Sequence, residues 1–224
     1  MPVPRMVIAA GPSGGGKSTV LNVFKLDGVD AFNVDDQAGR LYAQIQGSSN
    51  PIYHSVPSNV RNQAREQMRA FIQDHIDGRR SFALETTLRD VTFEQAREAT
   101  AKGFRVEMTF IAAGDVNEHI SRVEARAERG GHTASRASLT EIYGRAMRHL
   151  IDAFEENRRG NIDHLMVVHN PTALVPKPEP VVVLSRGTPT YVAQDAPEWF
   201  HANTRGTAFE LTKLQERARD AFER

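Results

Sequence analysis

The sequence predicts an α/β fold in which a mostly parallel sheet is covered by helices on both faces. Short apolar runs typical of buried strands alternate along the chain with longer segments of helical periodicity. The first apolar run, residues 6–10, leads directly into a glycine-rich segment. Because ligands of such sheets bind beyond the carboxyl ends of the strands, we expect the functional residues in the loops that follow them.

The glycine-rich segment, residues 11–19, matches the phosphate-loop pattern G-x-x-x-x-G-K-[ST]. Glycines allow successive backbone N–H groups to surround a polyphosphate at the start of a helix, which we expect to continue over residues 20–24. Lys17 would contact the β- and γ-phosphates, and the Ser18 hydroxyl would bind Mg²⁺. The motif therefore predicts binding of ATP or GTP with Mg²⁺. The alternative is a glycine-rich turn that binds no nucleotide. The predicted nucleotide-binding residues are Gly11, Pro12, Ser13, Gly14, Gly15, Gly16, Lys17, Ser18 and Thr19.

Four further short apolar runs predict strands. The third of them also alternates, with Val106, Met108 and Phe110 on one face. The predicted strands are residues 31–34, 81–84, 105–112 and 165–168.

Four segments between these strands carry apolar residues at helical spacing. Gly78 and Gly103 end the first two, Gly130-Gly131 breaks the third, and the capping-box pattern from Ser138 to Glu141 opens the fourth. The predicted helices are residues 60–76, 91–102, 116–127 and 138–157.

A proline-rich linker follows the last of these strands. Residues 181–192 predict a β-hairpin around Arg186-Gly187, and residues 207–223 predict a terminal helix. We therefore divide the chain into a core with the architecture of P-loop kinases, residues 1–172, and a C-terminal hairpin and helix, residues 173–224, packed on that core.

Composition excludes several classes of protein. Lys+Arg and Asp+Glu both total 28, so the formal net charge is zero, which argues against non-specific nucleic-acid binding. The absence of cysteine excludes disulfides, thiolate metal sites and a cysteine nucleophile. The first apolar run is too short for a signal peptide, and no run approaches the roughly 20 residues of a membrane helix. We expect a cytoplasmic protein that binds neither nucleic acid nor membranes.

Asp35 follows the second predicted strand, close to where a γ-phosphate should lie. A carboxylate there could accept the proton of an attacking hydroxyl, bind Mg²⁺ through water, or cap the next helix. We favour the first role for Asp35 and assign the cap to its neighbour Asp36.

The third predicted strand ends in a polar segment made of Glu85, Thr86, Thr87 and Arg89. These side chains could bind the acceptor, with Arg89 holding an anionic group. Glu85 could instead hold a metal, as a carboxylate does at the end of an apolar strand in many nucleotide-binding proteins, or the segment could be a surface turn. We favour the acceptor role.

Residues 122–138 carry four arginines around a pair of glycines. Arg122, Arg126 and Arg129 share one helix face, and Arg136 follows the glycines. Such a face is often a solvated surface with glutamate partners, but a segment with glycine joints and arginines also suits a lid that closes over the transferring phosphoryl group. We favour the lid, with Arg122 and Arg136 as its catalytic members, and assign no metal role to His132.

In this order along the chain, the phosphate loop, F-N-V-D at 32–35, L-E-T-T-L-R at 84–89 and R-V-E-A-R-A-E-R-G-G-H at 122–132 resemble the zeta toxin family of P-loop kinases, in particular its short stand-alone members. The resemblance covers about residues 5–170. The chain departs from the family at Glu141-Ile142, where two arginines are usual, and at Ala134-Ser135, where Val-Pro is usual.

The resemblance implies ATP-dependent phosphorylation of a sugar hydroxyl, in the best-known members on UDP-N-acetylglucosamine, and a small antitoxin protein as a possible partner. It implies that Lys17 and Ser18 bind phosphate and Mg²⁺ and that Asp35 is the base. Glu85, Thr87 and Arg89 correspond to acceptor-binding positions, and Arg122 and Arg136 to the residues that clamp the phosphates.

Two other functions are compatible with the motifs. One is a kinase for another small acceptor, such as an antibiotic, a metabolite or a nucleotide. The other is a nucleotide-dependent switch without an acceptor, against which the chain lacks the Asn-Lys-x-Asp signature of guanine recognition.

Overall fold

The computed structural model describes residues 2–53, 55–129, 131, 134–171 and 177–223. It is an α/β structure with seven strands and eight α-helices in this part of the chain. The strands are β1 (Arg5–Ala10), β2 (Asp30–Phe32), β3 (Phe82–Thr86), β4 (Arg105–Ala112), β5 (His164–His169), β6 (Glu179–Ser185) and β7 (Thr188–Val192). The helices are α1 (Lys17–Val20), α2 (Val34–Ile45), α3 (Ser58–Asp77), α4 (Asp90–Ala101), α5 (Val116–Ala127), α6 (Arg136–Arg158), α7 (Glu198–Thr204) and α8 (Leu211–Phe222).

All seven strands form one sheet in the order β2-β3-β1-β4-β5-β6-β7. The first five are parallel, and β6 and β7 continue the sheet in antiparallel orientation. The predicted mostly parallel α/β fold is therefore confirmed. Because β1 lies between β3 and β4, the segments that follow these three strands meet at one edge of the sheet.

Both faces of β1 are buried, each in a different apolar cluster. Met6 and Ile8 belong to the main core, which is completed by residues of α3, α4, α6, α7 and α8. Val7 and Ala9 point to the opposite face and pack with Val23. This two-sided burial explains why the strand reads as an uninterrupted apolar run.

The helix after the phosphate loop is shorter than predicted. It ends at Val20, Leu21 is extended, and a 3₁₀ turn follows over Val23–Lys25. The Asn22 side chain accepts the N–H of Phe24 and so starts this turn, while Val23 is buried against the sheet. Local capping and burial of Val23 thus replace the helix expected over residues 20–24.

The expected cap at Asp36 is wrong. Strand β2 ends at Phe32, and Asn33 caps α2 by accepting the backbone N–H groups of Asp35 and Asp36. Both aspartates therefore occupy the first helical turn, where carboxylates are favoured by the helix dipole. The capping alternative for Asp35 is excluded by the same geometry.

The capping box predicted at Ser138 is also wrong. Helix α6 begins two residues earlier than predicted, at Arg136, and Ser135 is its cap because its side chain accepts the N–H of Ser138. Glu141 pairs with Arg145 instead of returning to the helix start.

The C-terminal hairpin extends the sheet, and Asp163, directly before β5, binds both the hairpin turn and strand β4. Arg186 and Gly187 both have positive φ, 44° and 80°, as a two-residue hairpin turn requires. The Arg186 guanidinium donates to Asp163 Oδ1 at 2.6 and 2.8 Å, and Asp163 Oδ2 accepts the N–H of Val106. Trp199, on the unpredicted helix α7, is buried beside Phe110. The proposed domain boundary, residues 172–173, lies outside the described residues.

In the described part of the chain, no helix combines the length and the apolar character needed to span a bilayer.

Candidate active site

A cleft of about 490 Å³ opens at the carboxyl edge of the sheet. It is lined by the phosphate loop, the start of α2, the segment after β3, arginines of α3 and of α5 with the turn after it, residues of α4 and α6, and Asn170 after β5. The residues predicted from the sequence that line it are Ser13, Gly14, Gly16, Lys17, Ser18, Thr19, Asp35, Glu85, Thr86, Thr87, Arg89 and Arg122. The convergence expected from the sheet topology is therefore present in the structure.

The phosphate loop lies in direct contact with the end of β4. A Cβ on Gly11 or Gly15 would overlap the carbonyl oxygen of Ile111, and a Cβ on Gly16 would overlap the Asn170 amide. Gly11 and Gly16 also have positive φ, 132° and 86°. Only glycine therefore fits these positions, Gly15 for reasons of space and Gly11 and Gly16 for reasons of both space and backbone conformation.

Lys17 is buried at the base of this loop. Its Nζ donates to the carbonyl oxygens of Gly11 at 3.1 Å and Pro12 at 3.0 Å, and lies 3.9 Å from Glu85 Oε1. Burial lowers the Lys17 pKa, and the carboxylates of Glu85 and Asp35 act in the opposite direction. The Lys17 ammonium has therefore lost much of its water, and the neutral carbonyl groups of Gly11 and Pro12 take its place.

Glu85 joins the phosphate loop to the start of α2. It stands opposite Ala9 in the parallel pairing of β3 with β1, and its Oε2 accepts a hydrogen bond from Asn33 Nδ2 at 3.2 Å. The carboxylate thus lies between Lys17 and Asn33. This position suits both alternatives, an acceptor contact and a ligand of a metal-bound water.

The segment after β3 is bent into the cleft by Leu88. This buried residue has a φ of 63°, which is unusual for a side chain of its size, and its N–H donates to Thr86 Oγ1 at 3.1 Å. The bend places Thr87 and Arg89 in the lining of the cleft. Burial lowers the Arg89 pKa, and the nearby guanidinium of Arg145 adds to the effect.

Asp35 reaches the cleft from the first turn of α2. Its charge acts on both Lys17 and Arg89. The structure therefore brings together Asp35, Lys17, Glu85 and Arg89, which the sequence placed far apart.

The arginines of the predicted lid divide into two groups. Arg122, Arg126 and Arg129 line the cleft, and the Arg122 side chain is only 9% exposed because it binds Glu118 and donates from Nη2 to the Pro171 carbonyl at 2.9 Å. Arg136 pairs with Glu124 at 3.1 Å, is 64% exposed and lies outside the described lining. The structure thus does not bring Arg136 to the other candidates. Gly130 and His132 lie outside the described residues.

Several lining residues were missed by the sequence analysis, among them Asn33 and the α3 arginines. Arg61, Arg65 and Arg69 are spaced by four residues, so they share one face of α3. This spacing was a usable signal, but the sequence analysis considered only the apolar stripe of α3, which adjoins the arginine face and contributes Met68 to the same cleft.

His119 was missed because a single histidine carries no motif. It is 2% exposed, its Nε2 accepts the N–H of Ala113 at 3.0 Å, and its Nδ1 lies 2.9 Å from the Ser13 carbonyl oxygen. Since Nε2 accepts, the proton is on Nδ1, which donates to Ser13. The neutral ring therefore ties the phosphate loop to the segment after β4, and burial lowers its pKa to about 4.

Within the described residues, no group of three or more histidine, aspartate or glutamate side chains converges as a ready metal site.

The family model described as Zeta toxin matches residues 2–177. The chain belongs to the zeta toxin family. The resemblance stated from the sequence is thereby confirmed. Comparison with curated proteins gives no significant match.

Solved structures support the fold of this zeta toxin family member. The PezAT toxin–antitoxin system of Streptococcus pneumoniae aligns with a TM-score of 0.57 at 14% identity, over 100% of this chain and 89% of that one. AvrRxo1-ORF1:-ORF2 with ATP aligns with a TM-score of 0.66 at 14% identity, over 84% of this chain and 60% of that one. The chain thus spans about three fifths of the AvrRxo1 chain that it matches. At this identity, the likeness establishes the fold alone.

The buried His119 ring predicts a specific dependence of stability on pH. The histidine of the unfolded chain has a pKa near 6.5 and the folded one about 4, so the unfolded state binds more protons between these values, and the free energy of unfolding falls as pH falls through this window. Between pH 7 and 5, the wild type should lose on the order of 2 kcal/mol more than His119→Gln. Urea denaturation at both pH values measures this difference.

His201→Gln removes a histidine from α7, away from the phosphate loop, and serves as the control. Equal pH-dependent losses in the wild type and His119→Gln would contradict the assignment of a neutral, buried His119.

Proposed function

We propose that the protein is an ATP-dependent phosphotransferase that moves the γ-phosphoryl group to a hydroxyl of a small molecule, specifically a UDP-activated sugar such as UDP-N-acetylglucosamine. The observation that carries the proposal is the meeting of Lys17, Asp35 and Glu85 in one cleft at the phosphate loop. Membership of the zeta toxin family and the fold of P-loop kinases support it. ATP is the nucleotide in one structure of similar fold.

The phosphate loop would bind the triphosphate. Its backbone N–H groups and Lys17 would contact the β- and γ-phosphates. Nucleotide binding would supply Lys17 with anionic partners in place of the carbonyl groups of Gly11 and Pro12, which it contacts in this structure. Because the lysine is buried, this exchange is strongly favourable.

Mg²⁺ fits the same end of the cleft. Ser18 and Glu85 both line the cleft. Glu85 Oε1 lies 3.9 Å from the Nζ of Lys17, which directly precedes Ser18 in the phosphate loop. Mg²⁺ commonly uses few protein ligands together with phosphate oxygens and water, so Ser18 and one carboxylate suffice. The bound ion would neutralise phosphate charge during transfer.

Asp35 would act as the general base. The acceptor hydroxyl oxygen forms a bond to the γ-phosphorus while the bond from that phosphorus to the β–γ bridging oxygen breaks, and the hydroxyl proton passes to the Asp35 carboxylate. Arg122 and Arg126 of α5, and Arg129 in the turn after it, would stabilise the charge of the phosphoryl group. Arg136 would join them only after release from Glu124.

The other end of the cleft would bind an anionic acceptor. Arg61, Arg65 and Arg69 line the cleft from α3, and the charge of Arg65 acts on Arg89. The Arg65 guanidinium donates to the neutral amide oxygen of Asn62 at 2.6 Å. This excess of guanidinium groups fits the diphosphate of a nucleotide sugar, which Arg89 and Arg65 can bind through paired N–H groups.

A small antitoxin protein is the partner that we infer, because the PezAT relative is a toxin–antitoxin system. We further propose a cytoplasmic enzyme that uses no nucleic acid, in keeping with its zero formal net charge.

Measurement of ATP consumption with and without acceptors tests the proposal. We expect consumption that appears only with a UDP-sugar, a product heavier by one phosphate in mass spectrometry, and loss of at least about 100-fold in kcat/KM in Lys17→Ala. If ATP is consumed only with an antibiotic, a metabolite or a nucleotide, the protein is still a kinase, but its acceptor is not a UDP-sugar. Hydrolysis that no acceptor changes would favour a nucleotide switch.

Asp35→Asn tests the base. The amide cannot accept the hydroxyl proton, so kcat should fall by about 10²–10⁴-fold while the Kd of Mg²⁺–ATP changes little. Single-turnover kinetics and nucleotide titration separate the two effects. If the variant instead loses Mg²⁺-dependent nucleotide binding, Asp35 is a metal group.

Arg65→Ala tests the anionic acceptor end. Loss of a charged contact should raise the KM of the UDP-sugar about tenfold and leave the KM of ATP nearly unchanged. Steady-state kinetics with each substrate varied in turn measures both values. Arg219→Ala, on the exposed end of α8, is the matched control. Equal effects on both substrates would argue against an acceptor contact at Arg65.

A further inference from the structure

Asn170, directly after β5, is fixed beside the phosphate loop from three directions. Its backbone N–H donates to the Ala112 carbonyl oxygen at 2.8 Å, and its Nδ2 donates to the Gly15 carbonyl oxygen at 3.0 Å. The absence of a side chain on Gly16 leaves the space that the amide fills. Asn170 is 2% exposed, so the whole side chain is buried against the loop.

The other atom of this amide is unsatisfied. Oδ1 is buried and accepts no hydrogen bond from any described residue. Rotating the amide by 180° would not relieve this, because Oδ1 would then face the Gly15 carbonyl oxygen and Nδ2 would lose its acceptor. A buried acceptor without a partner is costly, and in native proteins it calls for an explanation.

The position of Asn170 indicates that its missing partner belongs to a ligand. The residue lines the same cleft as Lys17 and Ser18, at the side of the loop that faces β5 and the Pro171 carbonyl. Phosphate oxygens only accept hydrogen bonds, so the triphosphate tail cannot satisfy Oδ1. The donors of a nucleotide are the amino group of its base and the hydroxyls of its ribose.

We propose that Asn170 is a specificity-determining residue for the nucleotide, whose Oδ1 accepts a hydrogen bond from the base amino group or a ribose hydroxyl. This inference rests on the proposed binding of ATP at the phosphate loop. A site built to accept a hydrogen bond discriminates strongly against a ligand that lacks the donor, because the buried acceptor then stays unpaired. Asn170 thereby selects the nucleoside, whereas the loop binds only the phosphates.

Equilibrium binding of four nucleotides tests this role: ATP, purine riboside triphosphate (without the 6-amino group), 2′-deoxy-ATP and 3′-deoxy-ATP. The wild type should bind one of the three analogues about tenfold more weakly than ATP. Asn170→Ala should bind ATP and that analogue equally. The lost bond to Gly15 weakens all four nucleotides alike and cancels in this comparison.

Asn170→Asp retains an acceptor oxygen of the same shape and should keep the preference even if all four affinities fall. Asn170→Asp also provides a test of the inference if Asn170→Ala does not fold. Equal wild-type affinities for all four nucleotides, or a preference that persists in Asn170→Ala, would overturn the inference. A loss of nucleotide affinity in Asn170→Ala that occurs only in Mg²⁺-containing buffer would also overturn it, because Oδ1 would then contact the water shell of the metal.

These failures differ from failure of the proposed function. A wild type that transfers phosphate from ATP but shows no Asn170-dependent preference contradicts only the inference on Asn170. A wild type that binds none of the four nucleotides contradicts the phosphotransferase itself.

Discussion

The site depends on the contact between the phosphate loop and the end of β4. The loop backbone at Gly11 and Gly15 lies directly on the Ile111 carbonyl, which no larger residue would permit. His119 and Asn170 then fasten the loop from two neighbouring elements through the carbonyl groups of Ser13 and Gly15. Together with the bond from the Gly15 N–H to the Pro12 carbonyl oxygen at 3.3 Å, these contacts fix the backbone of the loop beside the cleft.

This arrangement clarifies which parts of the structure could be predicted from the sequence. Strands β1 and β4 were predictable because burial on both faces gives an apolar run and burial on one face gives an alternating pattern. Because the two strands are parallel, the loops that follow them lie at the same edge of the sheet. The meeting of Lys17, Asp35 and Glu85 follows from that topology alone. The predicted roles of these residues remain predictions, since proximity does not distinguish a base from a metal ligand.

Side-chain competition at helix ends was harder to predict. Asn33 and Ser135 cap α2 and α6, although Asp36 and Ser138 fit the capping patterns equally well in sequence. At α2 the choice depends on where the chain leaves strand β2, which is a tertiary constraint. Likewise, Asn170 and His119 act through single hydrogen bonds to the loop backbone across 155 and 106 residues, and no local pattern encodes such contacts.

The arginines of α5 and α6 differ in how firmly their side chains are held. Arg122 is already anchored by Glu118 and Pro171, so it forms part of the rigid wall of the cleft. The exposed Arg136–Glu124 pair is a weak restraint, because solvent screens it. A triphosphate in the cleft presents far more negative charge than one glutamate, in a less hydrated place. We therefore propose a mobile role for the Arg136 end of this segment and a fixed electrostatic role for Arg122.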